Sequence, residues 1–297
     1  MQPSQPAEHP APGRAAAATR AAAVGAAPRE SAAEPAARGG ETIIELRRVS
    51  KSFGRQRVLD DIDLKIQRGR NTVIIGRSGE GKSVLLKHIV GLLRPDRGEV
   101  YFEGRRVDQL SERAWAPIRR QISFVFQLNA LFDSLSVGEN VAFSLMENRP
   151  AHGLGRRQIL EVVERCLAIV GLSGFELKRP AELSGGEKKR VALARAIALQ
   201  PPPRVILYDE PTAGLDPQRS DVINKLIRHL QRTVHVTGVI VTHDMRSAAE
   251  VGDRVLMLEK GAFLADGKPE DLMRSTHEEV RRFVNGEAAP EDMRAIG

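Results

Sequence analysis

The chain has 297 residues, 41% of them apolar, and a formal net charge of +7 at pH 7. That length allows one large domain or two small ones with ample buried core, and apolar runs such as "VILY" and "GVIV" are far too short to span a bilayer. The single cysteine, Cys166, excludes an internal disulfide and any cysteine-built zinc cluster, and fits a reducing compartment. No charged start followed by an apolar run marks the N-terminus, so no secretory signal is expected. The basic balance can favour nucleic acid or an anionic membrane surface; a solvated surface is the simpler reading, and charge alone does not decide between them.

Residues 1–40 are mostly Ala, Pro and Gly with scattered charges. They lack the large apolar side chains that offset the entropy of ordering, which predicts a disordered tail. From Glu41 onward "TIIELRRVSKSF" and "VLDDIDLKI" alternate as strands do. "NTVIIG" predicts a short buried strand running into the loop "GRSGEGKS", residues 76–83. After it, "KSVLLKHIVGLL" has apolar residues at helical spacing. The stretch of about 128–200 reads as mostly helical. "RVILYDE", "GVIVTHD" and "RVLMLEKGAFLADG" then read as strands. Strands, a helix-rich stretch and strands again predict an α/β nucleotide-binding core carrying a helical insertion.

The loop fits G-x-x-x-x-G-K-[ST] through Gly76, Gly81, Lys82 and Ser83, with Arg77, Ser78, Gly79 and Glu80 between them. It lies between a predicted strand and a predicted helix, the context that gives this motif its meaning. Glycines let the backbone curl until several N–H groups point at one anion. The helix start adds its positive end. Lys82 adds a mobile charge for terminal phosphates, and the Ser83 hydroxyl suits Mg²⁺. Such a loop needs a carboxylate on a neighbouring strand for the metal side, which Asp209 supplies at the end of "VILYD". Glu210 follows, placed to deprotonate an attacking water. Glu80 puts a negative charge inside the loop and is expected to point away from bound phosphate.

With "LSGGE" (183–187), "YDEPTAGLD" and "VTHD" added, the chain resembles the nucleotide-binding subunit of an ABC transporter over about 42–270. The resemblance implies an α/β fold: a P-loop NTPase core of the ABC type, with an antiparallel β subdomain and a helical subdomain at about 128–200. The implied layout is a 1–40 tail, a 41–272 nucleotide-binding domain and a 273–297 extension. It implies ATP and Mg²⁺ as ligands and hydrolysis of ATP as the activity. Phe53 resembles the aromatic residue that stacks on adenine. Gln127 in "FVFQ" resembles the glutamine that senses Mg²⁺ and contacts the membrane subunit. Ser184, Gly185 and Gly186 resemble the signature that meets the γ-phosphate across a dimer interface. Asp216 resembles the aspartate of the loop at that interface, and His243 the switch histidine. Glu187 stands where the wider family often has Gln.

One P-loop and one signature per chain imply that two copies form the ATP sandwich. The segments "GRSGEGKSVLLKHIVGLL", "ALFDSLSVGENVAF" and "LSGGEKKRVALARAIA", Tyr208 in "LYDEPTAGLDP", and "EEVRRFVNGEA" resemble the ATPase of Mla/MCE-type phospholipid transporters. That implies a polytopic permease, an MCE-domain lipid-binding protein and, in some systems, a STAS-domain subunit. It also implies a place on the cytoplasmic face of the inner membrane, held peripherally by the permease, and no nucleic-acid partner. An importer ATPase for amino acids or another small solute is the alternative cargo reading. A soluble ABC ATPase acting on nucleic acid or ribosomes is a further one. Leu131, Phe132 and Leu135 are the candidate permease contacts.

Overall fold

The computed structural model describes residues 40–148 and 153–288. The predicted tail, except Gly40, and the last residues of the predicted extension lie outside them.

Two sheets are stacked. The first has four strands in the order β2-β1-β4-β5, all antiparallel, from β1 (Thr42–Phe53), β2 (Gln56–Gln67), β4 (Arg97–Phe102) and β5 (Arg105–Arg106). The second has six strands in the order β10-β9-β3-β8-β7-β6. Its β3 (Asn71–Ile75), β6 (Ile122–Val125), β7 (Val205–Asp209), β8 (Thr237–Thr242) and β9 (Arg254–Glu259) are parallel, and β10 (Ala262–Gly267) returns antiparallel along β9. Strands β3, β7 and β8 are buried along their whole length, as parallel strands covered on both faces must be.

The helices are α1 (Lys82–Ile89), α2 (Glu112–Arg119), α3 (Val137–Glu147), α4 (Arg156–Ile169), α5 (Gly185–Ile197), α6 (Pro217–Val234), α7 (Met245–Val251), α8 (Pro269–Met273) and α9 (Glu278–Asn285). The strand period of two sorts the core into two clusters. Ile74, Leu207, Val239, Val241 and Leu256 face the antiparallel sheet and α1. Val73, Ile75, Ile206, Tyr208 and Ile240 face the layer built from α3, α4, α5, α6 and α7. Cys166 is buried in that helical layer, and desolvation pushes its thiol up to about 11.

Three sequence expectations are refined. The helix in "KSVLLKHIVGLL" stops at Ile89, because the chain turns through Val90 into Gly91 at φ 69°. "RVLMLEKGAFLADG" is a hairpin whose turn holds Lys260 and Gly261, both at positive φ. The antiparallel sheet recruits β4 from a stretch that the chain-order reading leaves unassigned; Glu103 and Gly104, both at positive φ, turn it into β5.

Candidate functional site

The parallel register fixes what meets at the carboxyl ends of the strands, the edge where such sheets bind ligands. Ile75 pairs with Thr242, Asp209 with Val241, and Val125 with Tyr208. The residues that follow, Gly76, His243, Glu210 and Gln127, are therefore brought to one edge.

The loop after β3 curls as its sequence demands. Gly79 and Gly81 take φ of 88° and 97°, and a Cβ on Gly81 would lie 2.8 Å from Val58 Cγ1. Gly81 begins α1 with no side-chain cap and no acidic residue in the first turn, so the backbone donors there face outward unclaimed by side chains. By contrast α3, α5, α6 and α7 are capped by Ser136, Ser184, Asp216 and Asp244. The Glu80 carboxylate accepts from the Lys260 backbone N–H in the β9–β10 turn.

Lys82 Nζ donates to Gly76 O at 2.7 Å and Arg77 O at 2.9 Å, and lies 3.8 Å from Glu210 Oε1. Burial pulls its pKa down, against the pull of Glu210 and Asp209. Ser83 Oγ donates to Asp209 Oδ1 at 2.8 Å. Burial raises the Asp209 carboxyl above the usual range, and the Ser83 bond opposes it. A hydroxyl and a carboxylate oxygen side by side are hard donors that fit Mg²⁺. Glu210 has φ 48°, unusual for a residue with a side chain. Its Oε2 meets His243 Nδ1 at 2.9 Å.

Phe53 ends β1 with its ring 48% exposed and Lys51 Nζ 5.6 Å from its centre, a face open to stacking. Gln127 lies just past β6 and its carbonyl accepts from Lys189 Nζ at 2.6 Å. The signature turn is not brought to the chain's own P-loop. Ser184 Oγ accepts from Glu187 N at 3.3 Å and the Glu187 carboxylate accepts from Ser184 N at 2.7 Å, a reciprocal cap in which glutamate serves as glutamine would. Gly185 and Gly186 sit instead against Leu215 and Arg219, beside Asp216, whose carboxylate accepts from Arg219 N at 2.9 Å. Signature and Asp216 form one exposed edge of the molecule.

A second surface follows Gln127. A groove of about 550 Å³ is lined by Phe124, Phe126, Phe132, Phe143 and Arg120 among others. Phe132 is 41% exposed and lies 4.5 Å from the Phe143 ring. Leu131 packs against the helical core, and Leu135 is partly buried. Asn140, buried in α3, holds this segment by exchanging hydrogen bonds with the Phe132 backbone at 2.8 and 3.1 Å. Asn140 and Lys189 escape motif reading. Lys189 nonetheless has a signal: it shares a helical stripe with Ala192, Leu193 and Ala196.

A strand-borne phosphate loop, a hydroxyl–carboxylate pair and a switch-like histidine on one edge define a P-loop ATPase. The ABC transporter family profile matches residues 59–213, and the chain belongs to that family. It is 42% identical over 265 residues to Protein TRIGALACTOSYLDIACYLGLYCEROL 3, chloroplastic, of Arabidopsis thaliana, covering 83% of this chain and 74% of that one. It is 36% identical over 248 residues to the intermembrane phospholipid transport system ATP-binding protein MlaF of Haemophilus influenzae, covering 84% and 92%. It is 37% identical over 248 residues to the Fe(3+) ions import ATP-binding protein FbpC of Escherichia coli O157:H7, covering 84% and 68%. Among solved structures, the dimeric post-hydrolysis state of the ATP-binding cassette MJ0796 bound to ADP and Pi is 33% identical with a TM-score of 0.69, covering 76% of this chain and 99% of that one. The chain is thus an ATP-binding subunit of an ABC transporter, an ATPase that uses ATP with Mg²⁺. No helix among the described residues is long and apolar enough to cross a membrane.

Proposed function

We propose that this ATPase drives a phospholipid transporter, as two copies docked on a polytopic permease. Similarity across 92% of the phospholipid-transport protein MlaF carries the cargo reading, and the lipid-named Arabidopsis relative supports it. An MCE-domain lipid-binding protein, and a STAS-domain subunit in some assemblies, complete the proposed machine. The ATPase then sits on the cytoplasmic face of the inner membrane through the permease. The iron-import relative favours the small-solute importer as the second reading.

The proposed roles are those the family resemblance implies, and the geometry supports them. Loop 76–83 and the uncapped start of α1 bind the phosphates, with Lys82 held by the Gly76 and Arg77 carbonyls and 3.8 Å from Glu210, and turning its charge to the terminal phosphates when nucleotide is bound. Phe53 stacks on adenine. Ser83 and Asp209, with Gln127 on the metal side, hold Mg²⁺, which when bound neutralises charge on the phosphates. Glu210 takes the proton of the attacking water as the γ-phosphorus–oxygen bond to ADP breaks. His243 orients Glu210 from the other side and contacts the γ-phosphate. The Ser184–Gly186 turn and Asp216 serve the site of the second copy, which explains their place on an exposed edge away from their own P-loop. The aromatic groove beside Phe132 receives the permease.

Reconstitution with the permease in vesicles holding labelled phospholipid tests the cargo. ATP-dependent lipid movement is the expected outcome; movement of a small solute and of no lipid would overturn the phospholipid reading and leave the ATPase intact.

A further inference from the structure

Helix α5 buries an ammonium where its apolar stripe calls for a hydrophobic side chain. Lys189 is 4% exposed, among Ala192, Leu193 and Ala196. A buried charge is costly unless its donors are partnered. Its partners are the peptide carbonyls of two site residues: Nζ donates to Gln127 O at 2.6 Å and lies 3.5 Å from Glu210 O. Burial lowers its pKa, and the charges of Glu210 and Asp209 oppose that shift. Two buried lysines therefore flank the acid pair: Lys82 approaches the Glu210 carboxylate and Lys189 the Glu210 backbone.

The same helix takes hold of the groove segment further along. Arg195 donates to Asn129 O and Ala130 O, each at 2.7 Å. At its other end α5 begins with the Ser184 cap. From Gly185 to Lys189 the rise is only about 6 Å, and a capped helix is stiff over that distance. A shift of the signature turn therefore moves Lys189 with it.

We infer that Lys189 is a positioning residue, whose ammonium fixes the Gln127 and Glu210 peptide groups to α5 and so ties the hydrolytic geometry to the position of the signature helix. Glu210 is held at an unfavourable φ, so its carboxylate direction depends on what secures its backbone. A misplacement of about 1 Å at a reacting group costs roughly a hundredfold in rate. The inference rests on the reading of Glu210 as the base.

The test compares Lys189→Met and Lys189→Arg in the full-length chain, by steady-state MgATP hydrolysis and thermal melting. Lys189→Met is expected to lower kcat about ten- to a hundredfold, with KM for MgATP within about threefold, as befits a group that acts on the transition state. Lys189→Arg should restore most of the rate, because it returns a charged donor. On a Glu210→Gln background, Lys189→Met should remove less than about twofold more, since both changes act through one group. A wild-type kcat in Lys189→Met would overturn the inference. So would equal losses in both variants that track the folded fraction, which is the signature of a purely structural lysine. Should Lys189→Met not fold, Lys189→Gln carries the same comparison. Near-normal turnover of Glu210→Gln would sink the base assignment itself; its loss beside an unaffected Lys189→Met would sink only the role of Lys189.

Discussion

Glu210, the proposed base, is contacted by two other site residues. Its Oε2 meets His243 at 2.9 Å while its Oε1 lies 3.8 Å from Lys82, so the carboxylate is aimed from both sides. Glu210→Gln keeps the shape and removes the basicity. ATP binding should persist and hydrolysis should slow by roughly 10² to 10⁴, the usual worth of a positioned base. Steady-state phosphate release from the assembled transporter is the measurement, and turnover near the wild-type rate would remove Glu210 from that role. The neighbouring carboxylate behaves differently, since Asp209 is raised by burial and bonded to Ser83, as suits a metal-side group. These types and positions were legible because the motif names them. Their contact was not, since Ser83 and Asp209 are separated by 126 residues and only the sheet brings them within 2.8 Å.

At the scale of elements, the strands that carry the site are secured at the opposite end. Asp253, just before β9, accepts from Asn71 N at 2.7 Å, Arg228 Nη1 at 2.6 Å and Gln231 Nε2 at 2.7 Å, joining β3 to α6. Burial works against the charged carboxylate, but the bonds from Arg228, Asn71 and Gln231 outweigh it and lower its pKa. A depressed acid contributes stability above its unfolded value of about 3.9 and loses it as pH falls through the lower folded value. Asp253→Asn should therefore cost about 1–3 kcal/mol from pH 8 down to about pH 5, with the difference shrinking below about pH 4. Denaturant melts at several pH values measure it; a difference that widens on acidification would contradict the assignment. Strand "NTVII" could be read directly, because burial on both faces leaves the consecutive apolar residues Val73, Ile74 and Ile75. Strand β4, "RGEVYF", hides its period because only Val100 and Phe102 are fully buried and the residues around them are polar or partly exposed. The Lys189 stripe could have been read from spacing alone, but a lysine in a basic run invites the assumption that it is solvated.

At the scale of the whole molecule, the described residues present two surfaces to which the proposed function gives different partners. The edge of Ser184 and Asp216 suits a second copy, and the groove beside Phe132 suits a permease. Phe132 is half committed already: it leans on Phe143 and its backbone is held by Asn140, yet much of the ring stays in solvent. Phe132→Ala should leave ATP affinity of the isolated chain unchanged and weaken permease binding by about 1–3 kcal/mol, the cost of losing a buried aromatic anchor. Titration of the chain against permease in nanodiscs measures it. A large drop in melting temperature with undiminished permease affinity would show that the ring belongs to the fold alone. The motifs name Ser184, Asp216 and Phe132, but their packing neighbours, such as Arg219 beside Gly186 and Phe124 and Arg120 in the groove, come from other segments of the chain.

The lone cysteine sets practical terms for watching these edges move. Burial pushes the Cys166 thiol up to about 11 and encloses it among helices, so the nucleophilic thiolate is disfavoured and sheltered. The native protein should therefore react slowly with maleimides and other thiol probes, which a labelling time course measures. A cysteine introduced at the signature turn or the groove rim would report alone, with Cys166 left in place.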